Sequence, residues 1–260
     1  MASRRTHKWQ ELSGPEVAAL AQETDVAILP IGCVEMHGSH LPTGTDSFQA
    51  EGIAELIAER EPAIIMPTLF YNINDEMTCY PGAIAISPEL MARLYEELCS
   101  EAARNGFTKI VLLIGHGGSE EVTRFVHHSL LHRRLGEKIG FTVFDLSFHL
   151  IARQSKVLET PPTKQGHGCE VETSLVLRFR PDLVHLERLE PLPEGEGPLY
   201  PKTVEHTWYV IDWVRQVPKG YIGMPQLATP EKGAAIAELV AAECARIVRQ
   251  IKNYDPTRDR

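Results

Sequence analysis

Three short runs of this chain hold residue types that bind metals and move protons. In the first, Gly32-Cys33-Val34-Glu35-Met36-His37-Gly38-Ser39-His40-Leu41-Pro42-Thr43-Gly44-Thr45-Asp46, the candidate ligands are Glu35, His37 and Asp46. In an extended segment, side chains two positions apart point the same way, so Glu35 and His37 can face one site. The Gly- and Pro-punctuated loop can then fold back to deliver Asp46. Mixed carboxylate and imidazole donors suit zinc, manganese or iron. The second run, Gly115-His116-Gly117-Gly118-Ser119-Glu120, adds His116 as a ligand candidate. Gly117 and Gly118 would let backbone N–H groups approach a substrate or a developing oxyanion. In the third run, His167-Gly168-Cys169-Glu170-Val171-Glu172, His167 and Glu170 stand at i, i+3 and share a face if a helix starts here. Glu172 then sits elsewhere on the turn.

Singly, each pattern is as compatible with a tight turn or a core histidine as with a ligand. Their conjunction points to metal chemistry, because three separate segments each combine histidine, glycine and an acid. His127, His128, His132, His149, His185 and His206 lack such company and read as surface or core histidines. The glycines form neither a dinucleotide-binding G-x-G-x-x-G nor a phosphate-binding loop ending in Gly-Lys-Ser/Thr.

The elements that must position these residues alternate between apolar strands and amphipathic helices. Strands are predicted at Val26–Ile31, Ile64–Leu69, Lys109–Ile114 and Gly140–Leu146. Helices are predicted at Phe48–Ile57, from Ser87-Pro88-Glu89 to about Arg104, at Glu120–Leu135, Cys169–Phe179 and Glu231–Ile251. Tyr71–Gly82 and Pro191–Pro201 read as loops. Strand–helix alternation predicts right-handed crossovers and a mostly parallel sheet covered on both faces, an α/β/α sandwich. Such sheets bind ligands at the carboxyl ends of their strands, where Glu35-Met36-His37 and Gly115-His116 fall. One domain over residues 1–260 is the expected organisation.

Composition narrows the function. The 260 residues carry a formal net charge of −9, with 43% hydrophobic and 23% charged residues. That is an ordinary globular make-up without the basic face a nucleic-acid binder needs. Arg4–Arg5 and His132-Arg133-Arg134 are too short to supply one, and acidic excess also disfavours anionic membranes. No apolar run is long enough for a membrane span, and the polar N-terminus lacks a signal region. Cys33, Cys79, Cys99, Cys169 and Cys244 are scattered and odd in number, which fits a reducing cytoplasm.

The run from Pro30 to Asp46 resembles the signature of the creatininase (creatinine amidohydrolase) family, in which Glu-x-His-Gly precedes His-Leu-Pro and Gly-Thr-Asp. Gly115-His116-Gly117-Gly118 resembles its Gly-His-Gly-Gly-Asn motif, and His167 to Ser174 its His-Ala-Gly-Glu-x-Glu-Thr-Ser motif. Tyr80-Pro81-Gly82 and Leu227 to Gly233 are similar to further family segments. The resemblance implies an α/β/α sandwich, two divalent metal ions per chain, and often a homohexamer. Asp46 would bridge the metals, Glu35 and His116 would complete one site, and His37 would belong to the other. Relatives of creatininase itself add a Glu two residues after the second-motif His. Here that position is Gly118, so Glu170 is the first candidate for the missing ligand, Glu172 the second and Glu120 the third. His167 and Glu172 are the catalytic candidates, with His167 orienting the substrate or carrying a proton to the leaving group.

The implied reaction is attack of a metal-activated water on a cyclic amide or formamide C–N bond of a small polar substrate. Hydrolysis of an oxidised inositol or keto-sugar is the alternative within the family. A non-catalytic metal-dependent binding protein is the alternative outside it, and would need a closed metal site. Arg153, Gln154, Lys156 and Lys164 would tolerate a polar or anionic substrate.

Overall fold

The computed structural model describes residues 7–161, 165–192, 217 and 219–255. Most of the Pro191–Pro201 loop, most of the stretch from Trp208 to Tyr221, and Lys164 fall outside the described residues.

The apolar run Val26–Ile31 forms β1, buried at every position. It pairs in parallel with β2 (Ile64–Ile65) on one side and β3 (Lys109–Ile114) on the other, and β3 pairs with β4 (Thr142–Ser147). The sheet is therefore fully parallel, in the order β2-β1-β3-β4. The second strand is shorter than the sequence suggests because Pro67 has no N–H to donate. Beyond it, Leu69 rejoins the sheet only through a single bridge to Ile31.

Side chains alternate across the sheet. Val26, Ile28, Val111 and Leu113 pack into one core, and Ala27, Leu29, Ile31, Ile110 and Leu112 into the other. The first core is closed by α2 (Thr45–Arg60), α7 (Glu170–Phe179) and α8 (Pro230–Lys252). The second is closed by α1 (Gly14–Glu23), α3 (Pro88–Arg104) and α4 (Ser119–Arg133). The α/β/α sandwich is thus present. Two short helices, α5 (Leu135–Ile139) and α6 (His149–Ala152), flank β4.

Local chemistry sets the boundaries. Helix α1, absent from the sequence reading, carries a capping box between Ser13 and Glu16 with Pro15 in its first turn. The helix expected at Glu120–Leu135 breaks at Arg134, which adopts φ 52. Helix α8 starts at the Thr229 cap, whose side chain accepts from the Lys232 N–H at 3.2 Å.

Chain direction reverses between β1 and β3. From β1 the chain crosses by α2 to β2 on one side, then by α3, on the opposite face, to β3. A crevice at the carboxyl ends of β1 and β3 follows from that switch, and it is where a parallel sheet receives ligands.

The α7–α8 contact fixes one wall of the crevice, and Gly233 fixes its closeness. A Cβ at Gly233 would lie 1.9 Å from the Ser174 carbonyl oxygen. Gly233→Ala is expected to push the helices apart and cost at least ~2 kcal/mol in chemical denaturation. An unchanged midpoint would show that the packing is looser than described.

Candidate metal centre

The first-motif loop leaves β1 at Gly32 and returns at Thr45, where α2 begins. Asp46 sits in the first turn of α2, whose free amides favour a carboxylate. His116 follows β3 directly, and Glu172 comes from the first turn of α7. Glu35, His37, Asp46, His116, His167 and Glu172 are all buried.

Their distances define one pocket. Asp46 Oδ1 lies 2.9 Å from His37 Nε2, and Asp46 Oδ2 lies 3.0 Å from His116 Nδ1. Glu35 Oε1 is 3.1 Å from His116 Nδ1, 3.6 Å from His167 Nδ1 and 3.9 Å from His37 Nε2. Glu172 Oε2 is 4.0 Å from His37 Nε2. Each oxygen of Asp46 therefore faces a different imidazole.

Backbone carbonyls fix which ring nitrogens look inward. His37 donates from Nδ1 to the Glu35 carbonyl (3.2 Å), and His116 from Nε2 to the Ile73 carbonyl (2.9 Å). His167 donates from Nε2 to the Met36 carbonyl (2.5 Å). A ring that donates outward presents its other nitrogen as a ligand. The His37 and His167 rings stack with centroids 3.9 Å apart.

Three carboxylates in a buried pocket require positive charge. Burial alone would lower the pKa of His37, but Asp46, with Glu172 and Glu35 beyond it, holds it up at about 10. His116 is raised by Glu35 and Asp46 against the same burial. Asp46, which burial would raise, is held well below the carboxylate range by His37 and His116. Burial pushes Glu172 up, and burial together with the charge of His37 pushes His167 down.

These residues fit divalent cations on the pocket's own evidence. Glu35 Oε2 is buried without a hydrogen-bond partner, and His37 Nε2 and Asp46 Oδ1 face each other at 2.9 Å with no further hydrogen bond, an arrangement a native fold tolerates where a cation satisfies these atoms. Among the described residues, Glu35–His37–His167 and His37–Asp46–Glu172 each bring ligand atoms within 4.8 Å of one another.

The creatinine amidohydrolase family model matches residues 10–248. The chain belongs to the creatininase family. With the family comes the class of enzyme, a metal-dependent amidohydrolase. Creatinine amidohydrolase of Pseudomonas putida is 27% identical over 95% of this chain and 97% of its own length. The 3-dehydro-scyllo-inosose hydrolase of Thermotoga maritima is 26% identical, covering 95% and 84%. The mycofactocin precursor peptide peptidase of Mycolicibacterium smegmatis is 25% identical, covering 90% and 87%. Among solved structures, a creatininase crystal structure superposes with a TM-score of 0.83 at 25% identity, over 97% of this chain and 100% of that one. A manganese form superposes with a TM-score of 0.81 at 26% identity, over 95% and 99%.

In this creatininase-family chain, Glu170 is not brought to the pocket, and the expectation that it is a ligand is corrected. Its carboxylate receives Lys232 Nζ at 2.6 Å and the N–H groups of Glu159 (3.1 Å) and Thr160 (2.8 Å). The reason is where α7 begins. The helix starts at Glu170, not at His167, so the supposed shared face does not exist. Gly168 takes φ 59, a conformation that favours glycine, and its N–H donates to Glu172 Oε2. Glu172 thereby turns toward His37. Glu120 stays on the surface of α4 against Arg124.

The glycines of the second motif have different surroundings. Gly117 borders open space, whereas a Cβ at Gly118 would lie 2.6 Å from His116 Nε2, so Gly118 makes room for that ring. Ser119, where the family pattern has Asn, is reached by Asn72 Nδ2 at 2.6 Å, and Asn72 also donates to the Gly32 carbonyl at 3.1 Å. Asn72 and the Ile73 carbonyl were missed in the sequence because they lie in a loop without a ligand pattern.

His149, read from sequence as surface or core, follows β4 at the crevice. It donates from Nε2 to the Gly115 carbonyl (3.0 Å), and burial lowers its pKa to about 4. Arg153 acts electrostatically on both His149 and Glu172, while Gln154 and Lys156 are exposed.

Burial would raise Glu170, but Lys232 and Thr160 hold it below its ordinary 4.5. Its stabilising contribution is therefore present above the unfolded pKa and fades as pH falls through the folded one. Glu170→Gln should cost about 2–3 kcal/mol at neutral pH, flatten the acid limb of stability, and leave metal content unchanged. Loss of metal in this variant, measured by plasma mass spectrometry, would return Glu170 to the ligand set.

Proposed function

We propose that this protein hydrolyses a C–N bond of a small polar cyclic amide or formamide, using two divalent cations held at the carboxyl ends of β1 and β3. The observation that carries this reading is the convergence of buried ligand atoms: Glu35 Oε2 has no hydrogen-bond partner, and His37 Nε2 and Asp46 Oδ1 face each other at 2.9 Å with no further hydrogen bond. Glu35, Asp46 and His116 would hold one cation, and His37, Asp46 and Glu172 the other. The split of Asp46 between His37 and His116 supports a bridging carboxylate. A manganese creatininase and a Zn–Zn form of a creatininase mutant have been solved, so zinc and manganese are the leading ions here, with iron compatible with the same donors.

When bound, such a pair supplies Lewis-acid polarisation of a carbonyl and a water acidified toward neutrality. The protein's own residues do the rest. The carbonyls of Glu35 and Ile73 lock His37 and His116 in ligating tautomers. His167, kept from charging by burial and anchored to the Met36 carbonyl, presents Nδ1 toward Glu35. From there Nδ1 can accept a proton and pass it to a leaving nitrogen. The open backbone at Gly117 gives a substrate access to the same pocket.

Hydrolysis of a keto-inositol is the second reading, supported by the inosose hydrolase relative of near-equal identity. The same proposal takes residues 1–260 as one catalytic domain that assembles as a homo-oligomer, as the family resemblance implies, and works in the cytoplasm. Among the described residues no helix is long and apolar enough to cross a membrane.

Metal analysis of protein purified without chelator or histidine tag should find about two zinc or manganese ions per chain. Glu172→Gln should reduce this to about one and Asp46→Ala to none. Retention of two ions by Glu172→Gln would remove Glu172 from the site. In a screen of cyclic amides, formamides and keto-inositols, His167→Asn should keep its metal and lose roughly 10²–10⁴-fold in kcat. Undiminished kcat would rule out His167 as the proton carrier.

A further inference from the structure

A thiol lies against one arm of the pocket. Cys33 follows β1 by two residues and has no exposed surface. Its Sγ, a carboxylate oxygen of Glu35 and a ring nitrogen of His116 all lie within 4.8 Å of one another. None of the other buried cysteines, Cys99, Cys169 and Cys244, belongs to such a group among the described residues.

A buried cysteine is by default a small apolar side chain. What sets Cys33 apart is the company it keeps. Glu35 has a side chain only 2% exposed, yet its Oε2 has no hydrogen-bond partner. His116 has committed Nε2 to the Ile73 carbonyl, so the ring atom it presents is Nδ1, 3.1 Å from Glu35 Oε1. A carboxylate oxygen, an imidazole nitrogen and a sulfur thus converge at one buried point, and Asp46 Oδ2 lies 3.0 Å from His116 Nδ1. A cluster of mixed O, N and S character suits a borderline-soft cation such as zinc, which can expand to five-coordinate and so keep a position for water, while manganese prefers oxygen.

We infer that Cys33 is a sulfur ligand to the cation held by Glu35, Asp46 and His116, and that it biases this position toward thiophilic divalent ions over manganese. The inference rests on the two-cation reading above and adds a donor to it. Ligation forms one sulfur–metal bond and breaks the S–H bond; the proton is released to solvent, and no electrons change hands.

The test uses the whole protein, stripped by chelator and reloaded with cobalt(II), with cobalt content, ligand-field bands and near-ultraviolet absorption recorded together. A thiolate-to-cobalt charge-transfer band is expected in the wild type. It should vanish in Cys33→Ser with cobalt still bound, and persist in Cys244→Ala. Competition between zinc and manganese should shift toward manganese in Cys33→Ser by at least ~10-fold, since one soft donor is lost. Bound cobalt with ligand-field bands but no charge-transfer band in the wild type would overturn the sulfur ligand and leave the two-cation reading standing. A band that survives in Cys33→Ser would do the same. No cobalt uptake by the wild type would overturn both. Should Cys33→Ser fail to fold, Cys33→Ala replaces it, and the wild-type spectrum alone still decides against the proposal if the band is missing.

Discussion

The fold is organised around the cost of placing three carboxylates, from Glu35, Asp46 and Glu172, in one buried pocket. Like charges that close cannot remain ionised without positive charge among them. The protein side of the answer is visible in His37 and His116, whose affinity for protons is raised by the acids despite burial. A divalent cation answers the same demand more strongly and displaces the proton, because imidazole ligates only when neutral. Metal binding, protonation and folding of this region are therefore one coupled equilibrium.

That demand explains why so much backbone is spent on orientation. Carbonyls of Glu35, Ile73 and Met36 each receive an outward ring N–H from His37, His116 or His167. Those carbonyls belong to loops, and loops hold position only if tied down. Asn72 ties one by bridging Ser119 and the Gly32 carbonyl, and the Gly38 N–H ties another to the Gly220 carbonyl at 2.7 Å. The parallel sheet supplies the rigid base, since β1 and β3 run in full register from Val26 and Lys109 to Ile31 and Ile114 and end together at the pocket floor.

Much of this was legible in the sequence because it rests on local pattern. Continuous apolar runs marked β1 and β3, and the site motifs followed them directly. What escaped the sequence was where individual elements end. Pro67 shortened β2, and Arg134 interrupted a helix whose apolar spacing continued past it. The choice between Glu170 and Glu172 turned on the first residue of α7. Periodicity places helix ends only to within a few residues, and a shift of two residues rotates a side chain to the far side of the axis. Gly168 carried the missing signal, since a glycine just before a helix often marks a backbone turn that ends the preceding register.

The two glutamates of the third motif then divide the labour in a way composition could not reveal. Glu172 turns inward and adds negative charge to the pocket, while Glu170, equally buried, turns outward and binds Lys232 at the start of α8. Lys232 also reaches Glu159 and the Leu227 carbonyl, so one ammonium gathers the loop before α7, α7 itself and the first turn of α8. Removing the ligand should disturb the metal and spare the packing, and removing the tether should do the reverse. The same Glu-x-Glu spacing thus encodes one residue for chemistry and one for the rigidity that chemistry needs. Helical rotation separates them, because both lie in α7 and residues two apart on a helix point to roughly opposite sides.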